Sequence, residues 1–304
     1  MLPFPNFAYE APDRLEDALA IAAAPGTRIV AGGTDLLPSI KHRLFTPATL
    51  LSLRRLEELA TITETADGGL AIGAMATLRA IRRSPLVLER YPALAEACRT
   101  IGTGTIQAMG TLGGNVMLDT RCLFYNQPAG WRASIGGCLK AEGNICHVAP
   151  KGKGCYAAHS ADSIPSLWLY GASIELASPS GTRQVTIADL YDEDGRTWVK
   201  TQPGEILTRI LLPAPSAPVV HRKLRLRNAI DYGMLLVAVQ RDGVGARAVL
   251  SAIGPQPILV QVAAAGDLAE ASYKAAKPLG THAIASVWRK QMVRVEVKRA
   301  LAAL

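Results

Sequence analysis

Four of the five cysteines in this 304-residue chain, Cys122, Cys138, Cys146 and Cys155, fall inside one stretch rich in Gly, Asp, Asn and Lys, between Gly110 and Cys155. The thiolate is a soft ligand, and four of them gathered by a flexible loop match the demand of a tetrahedral zinc or of a four-iron cluster. The spacing is not the C-x-x-C of zinc ribbons or bacterial ferredoxins. A pair of disulfides is the other outcome, and it requires an oxidising compartment. Cys98 sits apart among apolar residues and reads as an inert buried thiol.

Two glycine turns supply a second kind of chemistry. Gly32, Gly33, Thr34 and Asp35 follow a short apolar run, Thr27 to Ala31, and Gly113 and Gly114 stand between Thr111 and Asn115. Glycines let backbone approach a ligand closely, and successive N–H groups in such turns form an anion-binding nest suited to a pyrophosphate. Neither turn is the G-x-G-x-x-G of a dinucleotide fold or a P-loop. A plain β-turn uses the same residues, so each alone is weak; together they give two places to grip one extended phosphate ligand. No Ser or Cys stands with a base beside it as an activated nucleophile. His147 and His159 border the cysteine stretch and read as ordinary loop residues.

The elements that must position these groups follow from periodicity. The N-terminal twenty residues lack the basic and apolar regions of a signal peptide, which points to a cytoplasmic protein. No run approaches the ~18 to 20 apolar residues of a membrane span. The formal charge of +8 comes from scattered basic residues, which argues against nucleic-acid binding and suits an acidic partner or anionic ligand. Arg14 to Ala24 reads as a helix that Asp13 could cap. Thr49 to Leu53, Gly69 to Gly73, Ser173 to Ala177, Gly204 to Pro213, Lys223 to Arg227, Leu235 to Gln240 and Ala246 to Ile253 read as strands. Thr77 to Arg83 and Pro92 to Thr100 read as helices. His282 to Leu304 reads as a long amphipathic helix with Arg289, Lys290, Arg294, Lys298 and Arg299 on its wet side. Pro213, Pro215 and Pro218 mark a linker.

These residues carry a resemblance. AGGTDLLP, TLGGN, ADSIPSL, GEILTRILLP and KLRLRNAIDYG, spread nearly end to end, resemble the FAD-binding subunit of the molybdenum hydroxylase (xanthine oxidase) family. The insertion carrying DTRCLFYNQ, CLK, CHV and CYA resembles one branch, the β subunit of 4-hydroxybenzoyl-CoA reductase. The resemblance implies an α+β fold. It comprises a PCMH-type FAD-binding domain over 1–213, with one lobe over about 1–55 and another over about 56–213. An iron-sulfur loop is inserted at about 119–157, and a small C-terminal α+β domain of the CO dehydrogenase flavoprotein type covers 214–304.

The resemblance also implies roles. Ile29, Val30, Ala31, Gly32, Gly33, Thr34, Asp35 and Leu36, with Gly110, Thr111, Gly114 and Asn115, become the two FAD diphosphate segments. Asp162, Leu207 and Lys223 fall near the isoalloxazine ring, and Cys122, Cys138, Cys146 and Cys155 become 4Fe-4S ligands. Where Arg-Asn is frequent in the family, Gln107 and Ala108 stand here. The implied function is electron relay, inactive on substrate alone. Its implied partners are ferredoxin, a small 2Fe-2S subunit and a large molybdenum subunit, in a dimer of heterotrimers that removes the phenolic hydroxyl of an aryl-CoA. A flavin subunit of a different molybdenum hydroxylase or dehydroxylase remains an alternative, as does a structural zinc-binding interaction protein.

Overall fold

A computed structural model describes residues 2–304. Three sheets follow one another along the chain. The first is parallel, in the order β1-β3-β2, with β1 (Ala8–Glu10), β2 (Thr27–Val30) and β3 (Thr49–Ser52). Parallel neighbours need crossovers, and helices α1 (Leu15–Ala22) and α2 (Leu36–Lys41) supply them. One apolar group packs Ala18 with Leu51, Leu53 and Leu56, and another packs Val30 with Ile40 and Leu50. The strand expected over Thr27 to Ala31 forms as Thr27–Val30 and ends where the first glycine turn begins, but only Val30 in it is buried and Arg28 is exposed. Asp13 does not cap α1: Arg14 holds the N-cap position without a side-chain bond, and Asp13 lies 3.5 Å from Arg55.

The second sheet is antiparallel, ordered β4-β5-β8-β6-β7: β4 (Ile62–Glu64), β5 (Leu70–Gly73), β6 (Ser173–Ser178), β7 (Gly181–Thr186) and β8 (Ile206–Leu212). Against it lie α3 (Leu78–Arg83), α4 (Pro85–Arg90), α5 (Pro92–Thr100), α6 (Gly104–Met109), α7 (Leu112–Val116) and α9 (Ile164–Leu169), while a short α8 (Ala129–Ser134) lies in the cysteine stretch. The largest core is here and encloses Ile72, Leu94, Leu112, Ile164 and Ile210. Thr77, Thr103 and Thr111 accept N–H bonds at the starts of α3, α6 and α7, satisfying donors that open helix ends leave free.

The third sheet is an antiparallel meander of β9 (Val219–Leu224), β10 (Leu235–Asp242), β11 (Gly245–Ser251) and β12 (Ile258–Val262), covered by α10 (Leu268–Ala275) and α11 (Ser286–Leu301). Two expectations fail here. The strand expected over Lys223 to Arg227 ends at Leu224, because the Asp231 carboxylate accepts from the N–H groups of Leu226 and Arg227 and folds that segment into a loop. Arg289 is not on the wet side of the last helix. It is fully buried and donates to the carbonyls of Met234, Leu279 and Ala252, and burial draws its pKa down to about 10. Among the described residues no helix is long and apolar enough to cross a membrane.

Candidate functional site

The two glycine turns meet. A Cβ on Gly32 would lie 1.9 Å from the Met109 carbonyl oxygen and 2.9 Å from the Gly110 Cα, so only glycine permits this contact. Gly33 has φ +71, which turns the chain out of β2 into α2. Among the described residues, the N–H groups of Gly32, Gly33, Thr34 and Asp35 donate to no other protein group. The start of α7 faces them. Asn115 ties that turn to the start of α9: its Oδ1 accepts from the Ser163 N–H at 3.1 Å and the Ser163 hydroxyl at 2.7 Å.

Between the turns opens a cleft of about 520 Å³. All the residues assigned to the flavin from the sequence line it except Val30, whose side chain points into the small core with Ile40 and Leu50. At its floor Asp162 and Lys223 form an ion pair at 2.5 Å, with side chains 5% and 2% exposed. Burial raises the Asp162 pKa against the opposing pull of Lys223 and Arg225. Lys223 also donates to the Thr100 carbonyl at 3.1 Å. Gln107, the departure from the family pattern, donates to the carbonyls of Arg99 and Ile101 and so braces the turn beside the cleft. Sequence reasoning missed the clasp at the mouth. Arg121 pairs with Asp35 at 2.7 Å, its guanidinium carbon stands 3.8 Å from the Tyr232 ring centroid, and the Tyr232 hydroxyl donates to Asp35 at 3.0 Å.

The cysteine stretch is a loop closed at its neck, where Arg121 and Ala158 exchange backbone bonds at 2.8 and 2.7 Å. Cys122, Cys138, Cys146 and Cys155 are all free and buried, and they line one small recess with Phe124, Tyr125, Leu139, Lys140, His147 and Val148. None of the four is joined to another in a disulfide in this structure. No three His, Cys, Asp or Glu side chains among the described residues are arranged to hold a single metal ion. Burial raises the Cys122 thiol and takes Cys155 up to about 11. Cys98 is enclosed elsewhere, on α5, and burial raises its pKa strongly.

The loop is anchored by a residue with no signal in the sequence. Arg132 is fully buried, pairs with Glu142 through two bonds at 2.8 and 2.6 Å, and donates to the carbonyls of His42, Arg43 and Gln127. His147 stacks on Phe124 and bonds the Gly137 carbonyl at 2.6 Å. His159 lies in an irregular segment but is fully enclosed: its Nδ1 lies 3.1 Å from the Ser251 hydroxyl, and burial lowers its pKa to about 3.

Residues 5–215 match the family described as the FAD binding domain in molybdopterin dehydrogenase. The chain belongs to this family. It is 32% identical over 260 residues to the aldehyde oxidoreductase FAD-binding subunit PaoB of Escherichia coli K12, covering 82% of this chain and 81% of that one. It is 29% identical over 252 residues to the carbon monoxide dehydrogenase medium chain of Afipia carboxidovorans, covering 82% and 73%. The fold matches the Cu,Mo-CO dehydrogenase in its cyanide-inactivated form with a TM-score of 0.78 at 25% identity, covering 99% of this chain and 98% of that chain. The match to quinoline 2-oxidoreductase from Pseudomonas putida 86 has the same TM-score of 0.78 at 23% identity, covering 99% and 98%. The chain is therefore an FAD-binding subunit of the molybdenum hydroxylase family, in a mixed α/β fold of the CO dehydrogenase medium-chain kind.

Proposed function

We propose that this chain is an electron-relay subunit with FAD in the cleft and a 4Fe-4S cluster on Cys122, Cys138, Cys146 and Cys155. The observation that carries the cluster is the convergence of four free, buried thiols on one recess. Four soft thiolate donors match the demand of a four-iron cluster. FAD, when bound, accepts one or two electrons and so couples one-electron carriers to a two-electron reaction. The free N–H groups of Gly32 to Asp35 and the turn Gly110 to Asn115 would hold its diphosphate. Asp162, Leu207 and Lys223 would face its ring, with the buried ion pair fixing a charge on that side.

The chain would work with a small 2Fe-2S subunit and a large molybdenum subunit in a dimer of heterotrimers, in the cytoplasm, with ferredoxin as donor. The cysteine loop favours a 4-hydroxybenzoyl-CoA reductase-like enzyme. The 32% identity to an aldehyde oxidoreductase subunit favours a second reading, aldehyde oxidation with electrons flowing the other way. The experiment is to purify the native complex, measure iron, acid-labile sulfide, zinc and FAD, and assay aryl-CoA reduction against aldehyde oxidation. Four irons and one FAD on this chain are expected, and Cys138→Ser should lose iron while keeping FAD. Zinc without iron overturns the cluster. Turnover of aldehydes but of no aryl-CoA overturns the reductase reading.

A further inference from the structure

The wall between cleft and recess holds a charge that neither assignment uses. Lys140 follows Cys138 by two residues, yet its side chain is turned inward and only 6% exposed. An ammonium has three N–H donors, and all three here are committed to fixed oxygens. They go to the Asp119 carboxylate, the Thr120 hydroxyl at 2.6 Å and the Gly195 carbonyl at 2.6 Å. The ammonium also stands 4.6 Å from the Tyr125 ring centroid and 5.0 Å from that of Trp198.

These partners span the wall. Lys140 and Tyr125 line the cysteine recess, whereas Asp119 and Trp198 line the flavin cleft. Gly195 holds the arrangement against a cysteine: its N–H donates to the Cys155 carbonyl at 2.8 Å, and a Cβ on it would come within 3.0 Å of the Cys155 sulfur. The pair is thus an oriented dipole, positive towards the cysteines and negative towards the cleft.

Burying both ions costs solvation that an apolar residue at position 140 would avoid. A fixed positive charge stabilises an electron added to a centre beside it, and a fixed negative charge opposes one. At an effective dielectric near 20, a unit charge roughly 10 Å away changes such an equilibrium by about tenfold. We propose that the Lys140–Asp119 pair is a positioning device that sets the difference in reduction potential between the group on the four cysteines and the flavin. It rests on the cluster assignment made above.

The test is a redox titration of the purified complex, following the cluster by electron paramagnetic resonance and the flavin by absorbance. Lys140→Met should make the cluster harder to reduce. About tenfold less of it should be reduced at a fixed ambient potential, a midpoint lower by about 59 mV for a one-electron centre. Lys140→Arg should restore the native value. Asp119→Asn should move the cluster midpoint the opposite way, which a purely structural role would not do. Iron present with midpoints unchanged, or with both variants shifting alike, overturns the proposal and leaves the cluster standing. A native complex without iron overturns the cluster and the proposal together. If Lys140→Met fails to hold iron, Asp119→Asn decides alone: a raised midpoint supports the proposal and an unchanged one overturns it.

Discussion

The glycine-lined cleft and the cysteine recess are neighbours built in opposite ways. The cleft is made where regular elements end: Gly32 to Asp35 leave β2, Thr111 to Asn115 open α7, Leu207 lies on β8 and Lys223 on β9. Its shape is inherited from sheets that bury a large core, so it exists without its ligand. The recess has one six-residue helix nearby and little else that is regular. It is held by point attachments, chiefly the buried cation Arg132. A site resting on sheets should yield only to a steric insult, whereas one resting on single side chains should fail when one is removed.

The largest effect expected is at Arg132. Arg132→Met strips the partner from the carbonyls of His42, Arg43 and Gln127, and a buried group left unpaired costs about 1–3 kcal/mol. The loop should lose about 3–5 kcal/mol of local stability. Purified protein should have lost its iron and become open to proteolysis near Gly136, while binding FAD normally. Loss of FAD in step with iron would mean that the two sites share one support.

Gly32→Ala should do the converse with a smaller cost. The added Cβ meets the backbone of Met109, which no rotamer can relieve, so the two glycine turns must part. Overpacking of this kind costs about 1–3 kcal/mol. FAD content should fall to near zero with iron retained, measured on the same preparation. Full FAD occupancy would show that the contact between the turns is dispensable.

The contrast also explains what could be read in advance. Glycine turns are legible because backbone contact leaves no other residue possible, and cysteines are legible by type. Fourteen of the fifteen residues assigned to the flavin from the sequence line the cleft; Val30 does not, because its side chain packs with Ile40 and Leu50. Buried cations are not legible. Arg289 has the helical period of a solvated arginine, and Arg132 sits in a short stretch, AGWRAS, with no period that marks it as buried; what encloses each comes from distant chain segments. The end of β9 was equally hidden, since Leu224 and Leu226 continue the alternation and only Asp231, five residues beyond Leu226, interrupts it.

Acid should probe the seam at which both sites join the third sheet. His159 anchors that seam: its N–H donates to the Gly254 carbonyl, and its own carbonyl accepts from Ala252 and from the Ser251 hydroxyl. Burial lowers its pKa from 6.5 to about 3. The unfolded chain therefore binds a proton that the folded chain refuses. Stability from this residue is complete above pH 6.5 and falls as the pH drops towards 3. At pH 5 the loss is about 2 kcal/mol. His221, also lowered to about 3, and His282, lowered to about 4, act in the same direction. Denaturant melts between pH 7 and 4.5 should show His159→Asn with a shallower decline than the native protein; an identical slope would mean that His159 is protonated in the folded state.

The smallest change in stability should give the most specific loss of ligand. Gly114 lies in the first turn of α7, and a Cβ there would stand 3.1 Å from the Thr111 hydroxyl and 3.7 Å from the Ala31 Cβ, both cleft residues. Thr111 can yield a few tenths of an ångström, and alanine is favoured over glycine in a helix by about 0.5–1 kcal/mol. The two effects nearly offset, so Gly114→Ala should melt within about 0.5 kcal/mol of the native protein. Its methyl nevertheless projects between the two turns, into space that the diphosphate is proposed to occupy. FAD should bind at least tenfold more weakly, by fluorescence quenching of the free flavin, with iron content unchanged. A variant that melts normally and binds FAD as tightly as the native chain would put the diphosphate elsewhere in the cleft, and would leave Gly32 as a glycine needed for chain packing alone.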